Sequence, residues 1–301
     1  MTHDSGINEA HLQTLLELAR REDFGDQAGD LTSLLLPETA YNATGSWSLV
    51  AREAGRFCGQ AVLPPLLRAL APEVRLDWVD TKIDTKPLSA GDEIARLSGR
   101  VCQMLAAERT LLNFLQHLSG VATLTARFVA AVAGTHTKIY DTRKTTPGLR
   151  SLEKYAVRCG GGHNHRIGLY DAVLIKDNHL ADIPVARLAH TVFEMLGRID
   201  KLPVKPAFVE VECDTLEQLA ELLKVVGIDV ILLDNFEVDA LREAARIRDD
   251  AGLRGKIELE ASGNATLESV RAIAETGVER IAIGAITHSA PCLDLGLDAV
   301  G

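Results

Sequence analysis

Apolar positions follow two rhythms along this chain, and the change between them divides it. Leu12, Leu15, Leu16 and Ala19 keep the i, i+3, i+4, i+7 spacing of an amphipathic helix over residues 11–21. A polar stretch follows, and then residues 44–52 read as a strand. In CGQAVLPPLLRAL a strand end or turn leads into a helix, with Pro64 and Pro65 tolerated only in its first turn. VRLDWV alternates as a strand does, and PLSAGDEIARLSGR is a turn entering another. The first hundred residues are therefore mixed helix and strand. A long helix with Val101, Leu105, Leu112 and Leu115 on its apolar face is predicted for residues 101–118, ending at Ser119-Gly120.

Beyond that helix short apolar strands recur: KIYDT, AVLIKD, AFVEVE, DVILLDN, KIELEAS and RIAIGA. Helical stretches such as TLEQLAELLKVVG and VDALREAARIRDDAG separate several of them. Strands alternating with helices predict a parallel sheet, and such a series suits a barrel or an open α/β sheet. No sequence repeat or low-complexity tract interrupts it. Thr146 is the expected N-cap and Pro147 the first residue of a further helix, which Gly160-Gly161-Gly162 would end. Arg150, Lys154 and Arg158 would share one face of it, solvated or turned to a substrate.

Composition narrows the class. The 301 residues are 47% hydrophobic and 25% charged, with a formal net charge of −10. An acidic chain is a poor general nucleic-acid binder, but a local basic pocket for a small anion remains open to it. The five cysteines, Cys58, Cys102, Cys159, Cys213 and Cys292, are scattered and form no CxxC pair. Neither a zinc site nor a disulfide framework is expected. The N-terminal stretch does not read as a signal peptide, and no apolar run reaches membrane-spanning length. A reduced, cytoplasmic setting with no membrane partner is the expectation.

The later strands are apolar for most of their length and polar where they finish. Asp141-Thr142-Arg143-Lys144, Lys176-Asp177-Asn178-His179 and Asp234-Asn235 follow three of them. Glu210 and Glu212 alternate within one strand, Glu258 and Glu260 within another, so each pair projects to one side. Ser262-Gly263-Asn264 and Gly284-Ala285 close the last two, with His288 just beyond. In α/β barrels the active site lies at these strand ends. Any one such charge could be an ordinary solvated loop residue; five strands ending this way favour a site for a polyanion. Arg143, Lys144, His165 and Arg166 are the candidate anion contacts. The two glycine loops are candidates for a phosphate. Glu212 and Asp234 could hold Mg²⁺, which takes one or two carboxylates plus substrate phosphates, or could pair with the lysines instead.

The segment TRKTTPGLRSLEKYAVRCGGGHNHRIGLYDAVLIKDNH resembles the nicotinate-nucleotide pyrophosphorylase (carboxylating), or quinolinate phosphoribosyltransferase, family. ERTLLNFLQHLSGVATLT before it, and VEVE, LLDN, ELEASGN and IGAITHSAP after it, extend the resemblance over the chain from about Asp30 onward. The resemblance implies an α/β protein with an N-terminal α+β sandwich and a TIM-like, incomplete C-terminal α/β barrel of about six or seven strands. The expected division is residues 1–117 and 118–288, with the tail 289–301 packing back on the first domain. It also implies a pentosyltransferase of NAD biosynthesis, joining quinolinate to 5-phosphoribosyl-1-diphosphate with Mg²⁺. The products are nicotinate mononucleotide, pyrophosphate and CO₂.

Carried over residue by residue, Thr142, Arg143, Lys144, His165, Arg166 and Lys176 match the family's substrate-binding segment. Arg109 matches an arginine lent by a partner subunit in a homodimer or hexamer. Lys144, Lys176, Glu212 and Asp234 would be catalytic, the two acids lying near the ribose and metal. Ser262, Gly263, Asn264, Gly284, Ala285 and His288 match the 5′-phosphate loops. Two other readings stay open: a Schiff-base aldolase using Lys144 or Lys176, and a sensor that binds an anionic metabolite without turnover.

Overall fold

The computed structural model describes residues 6–26, 29–81 and 83–300. The chain begins with α1 (Glu9–Phe24), α2 (Glu38–Tyr41), β1 (Thr44–Ala51), β2 (Gly55–Arg56), α3 (Leu63–Leu70), β3 (Arg75–Trp78), β4 (Pro87–Leu88) and β5 (Glu93–Arg100). The long α4 (Val101–Ala131), β6 (Lys138–Tyr140), α5 (Arg150–Cys159), β7 (Val173–Ile175), α6 (Asp177–Leu180) and α7 (Val185–Leu196) follow. Then come β8 (Val209–Cys213), α8 (Leu216–Leu222), β9 (Val230–Asp234), α9 (Val238–Asp250), β10 (Glu258–Ser262), α10 (Val270–Ala274), β11 (Arg280–Ala282), α11 (Ala285–His288) and β12 (Leu295–Val300). Contacts divide these elements into two compact units. The first contains residues up to Ala126, Thr146–Gly161 and the segment from Ser289; the second contains Arg127–Thr145 and Gly162–His288. The division thus falls at 126/127, further along α4 than 117/118, and the stretch 146–161 belongs to the first unit.

The first unit is built on an antiparallel sheet in the order β12-β1-β5-β3. The tail of the chain supplies an edge strand, from Ser46 opposite Val300 to Ala51 opposite Leu295. The tail is also tied to α4: Leu293 N–H donates to Gln116 O at 3.0 Å, and Gln116 Nε2 donates to Leu295 O at 2.8 Å. This contact corrects the expected end of α4. The helix continues through Ser119-Gly120 because Val121 and Ala122 are fully buried beyond them. Gly120 is there for close approach: a Cβ on it would stand 2.0 Å from Pro291 O. Tertiary packing outweighs the ~1 kcal/mol helix cost of glycine.

The helix expected from Pro147 starts later, at Arg150. Gly148 has φ 82°, a left-handed conformation that no right-handed helix can pass through. Thr146 is not its cap. Instead the Thr146 N–H donates to Glu153 Oε2 at 3.1 Å, and the other Glu153 oxygen meets His117 Nε2 at 2.9 Å. Lys154 is buried, Arg150 half-buried and Arg158 exposed, so only part of the face they share is solvated.

The second unit is a six-stranded parallel sheet in the order β6-β11-β10-β9-β8-β7. The order is cyclic, as in a barrel, with no ladder between β6 and β7. Residues 163–166 run along this open edge. His163 forms a parallel bridge with Tyr140, its N–H donating to Ile139 O at 2.8 Å and its carbonyl accepting from Asp141 N at 3.0 Å. On the far side of the seam Arg166 Nη1 donates to Ala172 O at 3.4 Å, next to β7. The incomplete barrel expected from the family resemblance is therefore present, with six strands.

Gly120→Ala is expected to destabilise the protein by ~1–3 kcal/mol through overpacking against Pro291. Denaturant unfolding checks this, with Gly197→Ala as the control, where the backbone is ordinary and a Cβ would make only van der Waals contacts of 3.5 and 3.6 Å.

Candidate active site

Parallel strands in register bring the polar strand ends together. One row across the sheet reads Glu212, Leu232, Glu260, Arg280, Lys138. Two residues on toward the strand C-termini, the next row on the same face reads Asp234, Ser262, Ala282, Tyr140. Above them opens a cavity of about 390 Å³. Its wall takes in Thr142, Arg143 and Lys144 after β6, His165 and Arg166 from the seam, and Lys176 after β7. Glu212, Asp234, Glu260 and Ser262 complete the polar lining, and Leu174, Leu232 and Ala282 the apolar part. Nine of the expected site residues thus meet in one cavity, drawn from positions between 142 and 262.

Positive charge is crowded there. Burial first, and then the neighbouring Arg143 charge, hold the Arg166 guanidinium below the usual arginine range. Two cations forced together in a partly buried wall are stabilised by an anion between them. Across the cavity Lys176 Nζ lies 3.4 Å from Glu212 Oε2. Burial raises the Glu212 carboxyl above its ordinary value, and the Lys176 charge partly offsets this. Lysine pairing and a metal-capable position therefore coexist at Glu212.

The two glycine loops follow directly on the cavity residues Ser262 and Ala282, though their own residues do not line it. Gly263 has φ 105°, and a Cβ there would fall 2.1 Å from Asn235 Oδ1. Asn264 and Asn235 are also left-handed, at φ 48° and 56°, and Asn235 N–H donates to Ser262 O at 2.8 Å. The ends of β9 and β10 are thereby locked to each other. At the other loop a Cβ on Gly284 would lie 3.1 Å from both Lys144 Cδ and His288 Nε2. Thr287 Oγ1 donates to Lys144 O at 2.7 Å. Lys144, Gly284 and His288 therefore converge, with Ala285 opening the short α11 between them. Arg109, exposed on α4 in the first unit, is not among the residues lining the cavity.

Several participants escaped the sequence reading. Asp214 lies with Glu212 and Asp234 so that one oxygen from each falls within 4.8 Å of the others. Three hard oxygen donors suit Mg²⁺. Asp141, fully buried, accepts from His165 N at 2.8 Å and from Asn164 Nδ2 at 2.6 Å. Glu260 in the cavity lining and Glu210 outside it are both 0% exposed and have oxygens within 4.8 Å of each other and of a His165 ring nitrogen. The signal for this pair was in the sequence: charges alternating within otherwise apolar strands point into the barrel.

Burial, and then the neighbouring Glu210, push the Glu260 carboxyl well above the carboxylate range. The folded chain therefore keeps a proton there that the unfolded chain releases above its ordinary value of 4.5. This group's contribution to stability is fully present below that value and is lost as pH rises toward the folded pKa, at up to ~1.4 kcal/mol per pH unit. Glu260→Gln is expected to flatten the fall of Tm from pH 5 to 8 in scanning calorimetry. An unchanged slope would show that Glu260 is ionised in the fold.

Comparison with known proteins agrees with this geometry. The family model described as Quinolinate phosphoribosyl transferase, N-terminal domain, matches residues 30–119, and that of the C-terminal domain matches residues 121–298. The chain is 40% identical over 293 residues to the probable nicotinate-nucleotide pyrophosphorylase [carboxylating] of Bacillus subtilis, covering 97% of this chain and 94% of that one. It is 45% identical over 216 residues to the Mycobacterium leprae nicotinate-nucleotide pyrophosphorylase [carboxylating], covering 71% and 72%. The solved nicotinate-nucleotide pyrophosphorylase of Francisella tularensis superposes with a TM-score of 0.85 at 37% identity, over 98% of both chains. With both family domains matched in order along the chain and the motif cations gathered at the strand ends, the protein belongs to the quinolinate phosphoribosyl transferase family.

Proposed function

We propose that this protein joins quinolinate to 5-phosphoribosyl-1-diphosphate, releasing pyrophosphate and CO₂ and forming nicotinate mononucleotide for NAD biosynthesis. The observation that carries this reading is the single cavity that faces Arg143, Arg166, Lys144 and Lys176 toward Glu212 and Asp234. Its volume suits small-molecule substrates.

Each group has a chemical task. Arg143 and Arg166 clamp the two quinolinate carboxylates, as paired guanidinium groups can do bidentately. Lys144, His288 and the backbone at Gly284 and Gly263 take the 5′-phosphate. Glu212 and Asp234 face the ribose, where their negative charge stabilises the oxocarbenium character that develops at C1′. Lys176 neutralises the departing pyrophosphate. The pyridine nitrogen forms its bond to C1′ as the bond from C1′ to the pyrophosphate oxygen breaks. The resulting pyridinium accepts the electron pair left at C2 when the adjacent carboxylate leaves as CO₂, and a proton then joins C2. No side-chain nucleophile is needed, so positioning and electrostatics supply the rate.

Glu212, Asp234 and, beside them, Asp214 are the residues that would hold Mg²⁺. Bound there, Mg²⁺ would supply charge neutralisation to the diphosphate leaving group. The Schiff-base alternative is disfavoured because it uses one lysine and leaves Arg143 and Arg166 in the same cavity wall without a task, and because Lys176 is ion-paired with Glu212.

The proposal includes a homodimer, or a hexamer built from dimers, in which Arg109 of one subunit serves the cavity of another. Exposed apolar side chains support it, among them Leu34 and Leu35 in the first unit and Leu169 and Tyr170 in the second. The setting is cytoplasmic. No helix among the described residues is long and apolar enough to cross a membrane, and the five free thiols suit a reducing compartment.

Purified protein with Mg²⁺ is expected to release CO₂ and pyrophosphate from quinolinate, and not to use nicotinate or nicotinamide. Preference for either control would overturn the assignment. Arg166→Ala should lower kcat/KM for quinolinate by about 10- to 100-fold, the loss of one charge-assisted hydrogen-bonded clamp. Mixing inactive Arg109→Ala and Arg143→Ala proteins should restore part of the turnover. Failure of the mixture to recover any would count against a site shared between subunits.

A further inference from the structure

His165 lines the substrate cavity, yet neither of its ring nitrogens is open to a ligand. The Arg166 backbone N–H can only donate, and it donates to His165 Nδ1 at 2.8 Å. The ring therefore carries its proton on Nε2, which meets Glu210 Oε2 at 2.8 Å and Glu260 Oε1 at 3.5 Å. This also excludes the His165-Glu210-Glu260 cluster as a metal site in this arrangement, because the imidazole has no lone pair left to offer. The ring edge packs on Phe208, with centroids 5.3 Å apart at 83°. Its own backbone N–H is held by the buried Asp141. His165 is thus fixed from several sides while only 8% exposed.

We propose that Glu210 is a positioning residue for the quinolinate clamp and that it acts through His165 on Arg166. The chain of bonds runs from the β8 carboxylate to Nε2–H, across the imidazole, and from Nδ1 back to the Arg166 N–H. It crosses the seam that has no backbone ladder, between the 163–166 segment beside β6 and the strands that start with β7. The bond of the Arg166 guanidinium among the described residues is a long one, 3.4 Å, to Ala172 O. Its direction is therefore set largely by the backbone at 165–166, which the strut holds. A fully buried glutamate is costly unless it is hydrogen-bonded, and Glu210 bonds His165. Here the partner is the residue adjoining a substrate cation. Glu260, beside Glu210 and without a hydrogen-bond partner for either oxygen among the described residues, packs the strut from the other side.

This inference rests on the quinolinate reading, so its test has one arm that needs no turnover. ¹⁵N NMR of histidine-labelled wild-type protein at pH 8 should show His165 as the Nε2–H tautomer. The Nδ1–H tautomer would overturn the strut whatever the substrate. The kinetic arm compares Glu210→Gln with Glu210→Met. Both are uncharged and close in volume, but only glutamine can accept from Nε2–H. Glu210→Met is expected to raise KM for quinolinate about tenfold, with kcat and KM for 5-phosphoribosyl-1-diphosphate within about twofold of wild type. Glu210→Gln should stay within about twofold throughout. His165→Phe should reproduce the quinolinate defect, and the double variant should be no worse than either single one. It also serves if Glu210→Met does not fold.

Beside the Nδ1–H tautomer, three kinetic results would refute the strut. Glu210→Met and Glu210→Gln could be impaired alike. All constants could worsen together. Or His165→Phe could be impaired while Glu210→Met is not, which would make the imidazole itself a substrate contact. Absence of quinolinate turnover by the wild type would overturn the functional reading instead, leaving the tautomer result to judge the strut.

Discussion

Water is excluded from the interior of a sheet curved on itself, so charge placed there must be met by charge or by hydrogen bonds. Glu210 and Glu260 are fully buried in this interior, one row or less beneath the residues that face substrate. Their presence limits what can sit above them. His165 spans the gap from Glu210 to the Arg166 backbone, and Arg280 pairs with Glu258. Glu210 below and the cationic rim above are thus joined by one chain of hydrogen bonds through His165. An anionic ligand entering the rim completes the neutralisation that the interior begins.

The open seam gives this field its asymmetry. A closed barrel would place a ladder between β6 and β7. Here a short run after three glycines lies along β6 and uses side chains in place of a ladder. Gly160 is part of that run's approach: a Cβ on it would meet Ala122 O at 2.5 Å within the first unit. Glycine there serves close packing, and the run it leads into carries two of the cavity's polar residues. Function is concentrated where regular hydrogen bonding stops, because the freed backbone and side-chain groups are available to hold cations in place.

Loop glycines serve two different purposes in the site. Gly263 is required by its own left-handed backbone and by the Asn235 side chain beside it. Gly284 has ordinary backbone geometry and is required by what packs against it, the Lys144 stem and the His288 ring. The first shapes a turn; the second lets two side chains distant in sequence meet over bare backbone.

The order of the strands after residue 137, the shared side of Glu210 with Glu212 and of Glu258 with Glu260, and the cluster of strand-end cations were legible in the sequence. They follow from local periodicity, which depends on residues a few positions apart. The long helix was misread at Ser119-Gly120, because a glycine kept for contact with Pro291 looks like a glycine kept for a helix end. The start of α5 was misread because Thr146-Pro147 carries helix-start chemistry that Gly148, left-handed in the fold, overrides. Arg166 was visible as a cation, but the hold of Glu210 on it was not. That hold depends on two segments more than forty positions apart meeting across a seam, which no local pattern encodes. The chain alone determined which elements form and which ends carry charge; only the tertiary structure decided which charges share a cavity and which hydrogen bonds aim them, because burial and distance arise when the strands come into register.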